Sequence, residues 1–187
     1  MQHHSTIALS NTLPNSIYSV NDTTRYGYSY YEPKADNHQN PLIIWLHGAG
    51  EGGASGAEIP LYGTSKLGVL VDDEMQNRFG GAYVLVPQSP TMWMDAGGHH
   101  LTRDGSTIYN ESLMEFIRHY VDSNPDIDRD RIYLGGCSNG GFMTMVLILE
   151  NPDYFAAAFP VCEALFDRWI SDEDILVFNS GPDQGCD

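Results

Sequence analysis

Ser138 stands in Gly136-Cys137-Ser138-Asn139-Gly140, a G-x-S-x-G string followed by a further glycine, Gly141. A strand-like apolar run, Ile132-Tyr133-Leu134, enters it. A helical stripe, Phe142, Met145, Val146 and Leu149, leaves it. A strand that turns sharply into a helix at such a string carries its serine on a strained backbone, with Oγ raised above the end of a sheet: a nucleophile elbow. The flanking glycines have a steric purpose, because strand and helix pass there too closely for a Cβ. The chemistry indicated is acyl transfer, with Ser138 as the attacking nucleophile.

Acyl transfer builds negative charge on a carbonyl oxygen, and that charge needs fixed donors. Leu46-His47-Gly48-Ala49-Gly50-Glu51-Gly52-Gly53 directly follows an apolar run, Leu42 to Leu46. A glycine-rich loop at a strand's carboxyl end can turn its amides inward. One oxyanion-hole donor is therefore expected from Ala49 or Gly50, and the other from the N–H of Asn139. The loop lacks the lysine of a phosphate-binding P-loop and the G-x-G-x-x-G of a dinucleotide site. His47 is expected to brace the loop rather than act as a base. Trp93 and Met94 follow Pro87-Gln88-Ser89-Pro90 at another strand end, where open α/β sheets bind ligands. They are candidates for an apolar substrate wall and equally for loop anchors. Glu163, after Val161-Cys162, is a candidate for the rim.

In these motifs the chain resembles the α/β-hydrolase superfamily. It is most similar to the esterase branch of polyhydroxybutyrate-depolymerase-like, feruloyl-esterase-like and prolyl-oligopeptidase-like proteins. Residues 41–53, 87–90 with Trp93, and 128–141 carry the likeness, which extends from about Tyr28 to Asp183. The resemblance implies a triad in the chain order serine, acid, histidine. Phe178-Asn179-Ser180-Gly181-Pro182-Asp183 resembles the family's strand-end segment, with Asn179 and Ser180 in place of the usual His and Gly. By that match Asp183 is the acid that orients an imidazole and stabilises its cation; Asp167 and Asp187 match less well. The family's histidine, on a loop after a further strand, has no counterpart. His3, His4, His38, His47, His99, His100 and His119 all precede Ser138, and a serine without a base is a poor nucleophile.

Four explanations stand open. The chain is a fragment or shortened esterase, which is the preferred one. Or a second chain completes it, or His99 or His100 is borrowed from the polar 96–105 loop, or the chain is a non-catalytic relative. The function implied is carboxylesterase-type hydrolysis of a small or medium ester through an acyl-enzyme. The alternatives are a hydrolase-fold protein that binds without turnover, and a serine peptidase. No metal or organic cofactor is required, and His99-His100 has no carboxylate and third ligand in a recognisable pattern.

The elements that must position these groups read as an α/β chain, with strand-like runs alternating with helical patterns. Strands are expected at Gly27–Tyr31, Leu42–Leu46, Tyr83–Val86 (stopped by Pro87), Ile132–Leu134, Ala156–Phe159 and Ile175–Phe178. Leu113, Phe116, Ile117, Tyr120 and Val121 recur at helical spacing, with Asn110 as N-cap. A second helix follows Ser138 and ends before Pro152, and a weaker one covers Leu67 to Phe79. The expectation is a single domain over 1–187, with 1–20 an irregular segment. Its mostly parallel sheet has helices on both faces and lacks the family's last strand and helix. An unpaired edge after Ile175–Phe178 would invite a second copy of the chain.

Composition excludes several classes. The 187 residues are 42% hydrophobic and carry a formal net charge of −16, with only nine basic side chains. A nucleic-acid groove and attraction to anionic membranes are disfavoured. No apolar stretch is long enough to span a bilayer. The first residues lack the basic and apolar regions of a signal peptide, so a cytoplasmic chain and a processed secreted one both fit. Three cysteines make no framework. Cys137 is expected as a small buried residue. A Cys162–Cys186 bridge requires their strands to be neighbours, which spacing does not establish.

Overall fold

A computed structural model of the chain describes residues 13–34, 38–53, 67–98, 100–102 and 104–161. Six strands are described: β1 Asn15–Ser19, β2 Arg25–Tyr31, β3 Asn40–Leu46, β4 Tyr83–Gln88, β5 Ile127–Cys137 and β6 Ala157–Val161. They form one sheet in the order β1-β2-β4-β3-β5-β6. β1, β2 and β4 pair antiparallel, while β4, β3, β5 and β6 run parallel. The helices are α1 Asp73–Phe79, α2 Asn110–Ser123 and α3 Asn139–Glu150. The architecture is a mostly parallel α/β sheet with helices on both faces.

β3 is buried along its whole length, as a strand covered on both faces must be. Leu42, Ile44 and Leu46 share one core with Phe116 and Ile117 of α2 and Phe142 and Val146 of α3. Trp45 faces the other way, into a smaller cluster with Val84, Val86, Leu67 and Val71. Alternation along β3 therefore supplies two cores from one apolar run.

Four local expectations are corrected. Residues 15–19, expected to be irregular, form β1, whose alternating exposed and half-buried pattern suits an edge strand. β4 continues through Pro87 to Gln88. Its pairing with β3 ends at Ile44 opposite Leu85, so a residue without an N–H is tolerated beyond that point. The helix expected over 67–79 is split. A 3-10 turn covers Leu67–Val71, and the Asp72 carboxylate accepts from the Met75 N–H at 2.7 Å to start α1 afresh. Asn110 is the first residue of α2, not its N-cap. Its amide is committed elsewhere, accepting from Thr107 and donating to the Gly105 carbonyl and the Glu150 carboxylate. The strand expected at Ile175–Phe178 and the cysteines Cys162 and Cys186 lie outside the described residues.

Candidate active site

Ser138 sits between β5 and α3 with φ 54° and ψ −112°. Among the described residues no other non-glycine has a positive φ. Such a conformation costs on the order of 1–3 kcal/mol and persists only where the surroundings enforce it. The enforcement is visible. The Ser138 N–H donates to the Val161 carbonyl of β6 at 2.8 Å, and the Phe142 N–H donates to the Ser138 carbonyl at 2.9 Å. A Cβ on Gly140 would stand 2.0 Å from the Leu46 carbonyl oxygen, and one on Gly136 would stand 2.4 Å from the Gly140 carbonyl oxygen. The turn is thus pressed against the end of β3, as the paired glycines predict. Ser138 occupies the N-cap position of α3, yet its side chain makes no capping bond. It is exposed while Asn139 and Gly140 beside it are buried. The Asn139 N–H belongs to the first turn of α3, where amides have no acceptor within the helix. Cys137 is half-buried and packs on the Trp45 cluster.

The glycine-rich loop is clamped beside this turn. His47 is 1% exposed. Its Nε2 lies 3.0 Å from the Ser89 backbone nitrogen, which can only donate. Nε2 is therefore an acceptor, and the ring proton sits on Nδ1, donated to the Gly48 carbonyl at 2.8 Å. Both ring nitrogens are engaged, so His47 braces the loop, as expected, and is not placed to take a proton from Ser138. Burial pushes its pKa below the ordinary 6.5, against weaker opposing effects from the Gly48 carbonyl and the Glu51 charge. The folded protein thus holds a neutral ring, while the unfolded chain takes up a proton near 6.5. Stability from this site is present above that pH and is lost as the pH falls below it. The thermal midpoint should drop more steeply between about pH 7 and about pH 5 in the native protein than in His47→Asn. Parallel slopes would contradict this.

Glu51 accepts from the Gly48 N–H at 2.9 Å, and its own carbonyl accepts from the Gln88 side-chain amide at 2.8 Å. The Gly48 N–H is consequently spent. Ala49 and Gly50 form the exposed tip of the loop, Gly50 with φ 87°.

Of the two roles open to Trp93, its surroundings fit the loop anchor. It is 0% exposed. Its Nε1 donates to the His47 carbonyl at 3.1 Å, and its backbone N–H donates to the Asn139 side-chain oxygen at 2.6 Å. One residue thereby ties the glycine loop to the head of α3. Met94 is half-buried against the same core. Thr91 donates to Asp95 at 2.7 Å and so accepts from the Tyr109 hydroxyl, also at 2.7 Å, which ties Thr91 to the start of α2. Ser89 and Glu51 were not singled out from the sequence. The only signal was a polar residue at a strand end and an acid three residues after Gly48. His100 is exposed. Asp183, Glu163 and His99 lie outside the described residues. Among the described residues no group of three His, Cys, Asp or Glu side chains could hold a metal ion.

Residues 93–179 match the prolyl oligopeptidase family of S9 peptidases. The chain superposes on a thermostable esterase at TM-score 0.68 and 26% identity, covering 83% of this chain and 42% of that one. The chain belongs to the α/β-hydrolase superfamily. Within it, this α/β-hydrolase stands with the esterase- and peptidase-like serine hydrolases. It is 26% identical over 163 residues to the poly(3-hydroxyalkanoate) depolymerase C of Paucimonas lemoignei, covering 79% of this chain and 35% of that protein. It shares the fold, at TM-score 0.54 and 18% identity, with the acylaminoacyl peptidase of Pyrococcus horikoshii, covering 81% of this chain and 23% of that one. The α/β-hydrolase chain therefore spans well under half the length of these relatives.

Proposed function

We propose that this chain carries the nucleophile and oxyanion donors of a serine hydrolase that cleaves carboxylic esters through an acyl-enzyme. The observation that carries this is the exposed Ser138 at φ 54° on the β5–α3 junction, with the 47–53 loop clamped beside it. Ser138 Oγ attacks the carbonyl carbon and gives up its proton to a base. The tetrahedral oxyanion accepts from the Asn139 N–H and from Ala49 or Gly50. The alcohol then leaves with a proton, and water repeats the sequence on the acyl-enzyme. Asp183 is proposed as the acid that orients the base. That base is an imidazole from outside this chain or from the 96–105 loop, since both nitrogens of His47 are already engaged.

The match to an S9 peptidase family favours peptide cleavage as a second reading. An ester has the better leaving group, so a site with a minimal acid catalyst discriminates strongly for it. Turnover of p-nitrophenyl butyrate should exceed that of alanine p-nitroanilide by about a hundredfold or more in kcat/KM. Comparable values would favour a peptidase. No turnover of either would favour a hydrolase-fold protein that binds without reaction.

A further inference from the structure

The segment that leaves β4, residues 89–93, touches both halves of the site around Ser138. On the loop side, the Ser89 N–H donates to His47 Nε2 at 3.0 Å, and the Ser89 carbonyl accepts from the Gly53 N–H at 2.9 Å. Both ends of the 47–53 loop therefore rest on one residue. A Cβ on Gly52 would stand 1.7 Å from the Thr91 carbonyl oxygen, so the two backbones pass in close contact. Trp93 then crosses to the serine side. Its indole N–H holds the His47 carbonyl at 3.1 Å, while its backbone N–H holds the Asn139 side-chain oxygen at 2.6 Å.

The Asn139 side chain has no evident part in acyl transfer itself. The residue after an elbow serine offers its backbone N–H to the oxyanion, and any residue type can do that. Here the residue is 6% exposed, and its side-chain oxygen is spent on Trp93. Trp93 has little freedom to move. It is fully buried, stacked on Tyr26 at 6.3 Å, edge-on to Tyr109 at 6.1 Å, and 5.0 Å from the His47 ring. A side chain so enclosed fixes the separation of the two groups it bonds. The direct contact of Gly140 with Leu46 and His47 limits only how near the halves can come. The bonds of Trp93 keep them from drifting apart.

We propose that Trp93 and the Asn139 side chain are positioning residues. They hold the Asn139 N–H and the tip of the 47–53 loop at a fixed separation, so that both meet the same oxygen in the transition state. The inference rests on the ester-hydrolase reading of Ser138. A donor displaced by about 1 Å costs about a hundredfold in rate. The ground-state ester, whose carbonyl oxygen carries little charge, depends far less on that donor. The loss from a cut strut therefore falls on kcat and spares KM.

The test cuts the strut at either end in the full 187-residue chain. Benzothienylalanine in place of Trp93 exchanges the indole N–H for sulfur and keeps the shape and stacking of the ring. Asn139→Leu removes the acceptor at the other end. Hydrolysis of p-nitrophenyl butyrate is read beside hydrogen exchange at the loop amides. Each variant should lower kcat about tenfold or more, with KM changed less than about twofold. Exchange of the Gly53 N–H should accelerate about tenfold or more. The double variant should lose no more than about twofold beyond the worse single one, because a strut cut once is already open. Two independent packing roles would multiply instead. The Trp93 replacement alters one ring position, so it decides the matter even if Asn139→Leu unfolds. An active native chain whose variants keep kcat, raise KM in its place, or multiply in the double variant would overturn this proposal alone. A native chain without turnover would overturn the hydrolase reading, and this proposal with it.

Discussion

Ser138→Ala should abolish covalent acylation. Intact-mass measurement after incubation with p-nitrophenyl butyrate or a fluorophosphonate should show one adduct on the native chain and none on the variant. In a form that contains the general base, kcat/KM should fall by about a thousandfold or more. The size follows from role. The proposed oxyanion donors, the Asn139 N–H and the tip of the 47–53 loop, survive the substitution. A remnant of transition-state stabilisation therefore survives, but not the bond from Oγ to carbon. The fold should be unaffected, because the Ser138 side chain makes no capping bond and the turn is held by backbone bonds to Val161 and Phe142. A native-like adduct on the variant would mean that another residue is the nucleophile. Cys137, half-buried beside it, is the first to test. Absence of an adduct on both proteins would mean that the chain does not assemble an activated serine.

Gly140→Ala should be among the most damaging single-methyl substitutions in the described structure. Its Cβ would stand 2.0 Å from the Leu46 oxygen, 2.5 Å from the Leu46 carbon and 2.6 Å from the His47 oxygen. All three are backbone atoms, so no side chain can swing aside. α3 would have to withdraw from β3, dragging Ser138 and the Trp93–Asn139 bond with it. The expected loss is about 3 kcal/mol or more, beyond the usual range for a point substitution, read as a shift of the urea midpoint at constant slope. Gly50→Ala is the control. Gly50 has φ 87° but nothing within 4 Å of a Cβ, so only its left-handed backbone resists, at about 1 kcal/mol. Similar losses at the two positions would show that the close crossing of β3, β5 and α3 does not govern stability.

Both effects trace to features legible along the chain. The G-x-S-x-G string between a strand pattern and a helical one located the turn, and the apolar run Leu42 to Leu46 located the central strand. Such signals are local. A strand buried on both faces must be apolar at every position, and a helix laid on a sheet must repeat its apolar residues every three or four. The 47–53 loop was legible for the same reason, since its glycines and its place after β3 are properties of consecutive residues. β1 was not: its pattern, Asn15-Ser16-Ile17-Tyr18-Ser19, is half polar, and an edge strand is defined by the neighbour it pairs with, here β2.

The sequence by itself determined the class of sheet, the serine on its turn and the glycine loop beside it. It left Trp93 open between wall and anchor, and took Asn110 for a helix cap. Only the tertiary structure decided these. Trp93 is buried because Asn139, 46 residues away, accepts its N–H, and because its indole reaches the carbonyl of His47. Asn110 is diverted from capping by Glu150, 40 residues on. Likewise the tautomer of His47 depends on Ser89, 42 residues distant. Periodicity records only how often a position meets the core. Which polar group it meets there depends on how separate layers of the fold are laid against each other, and that is settled only when the whole sheet is assembled.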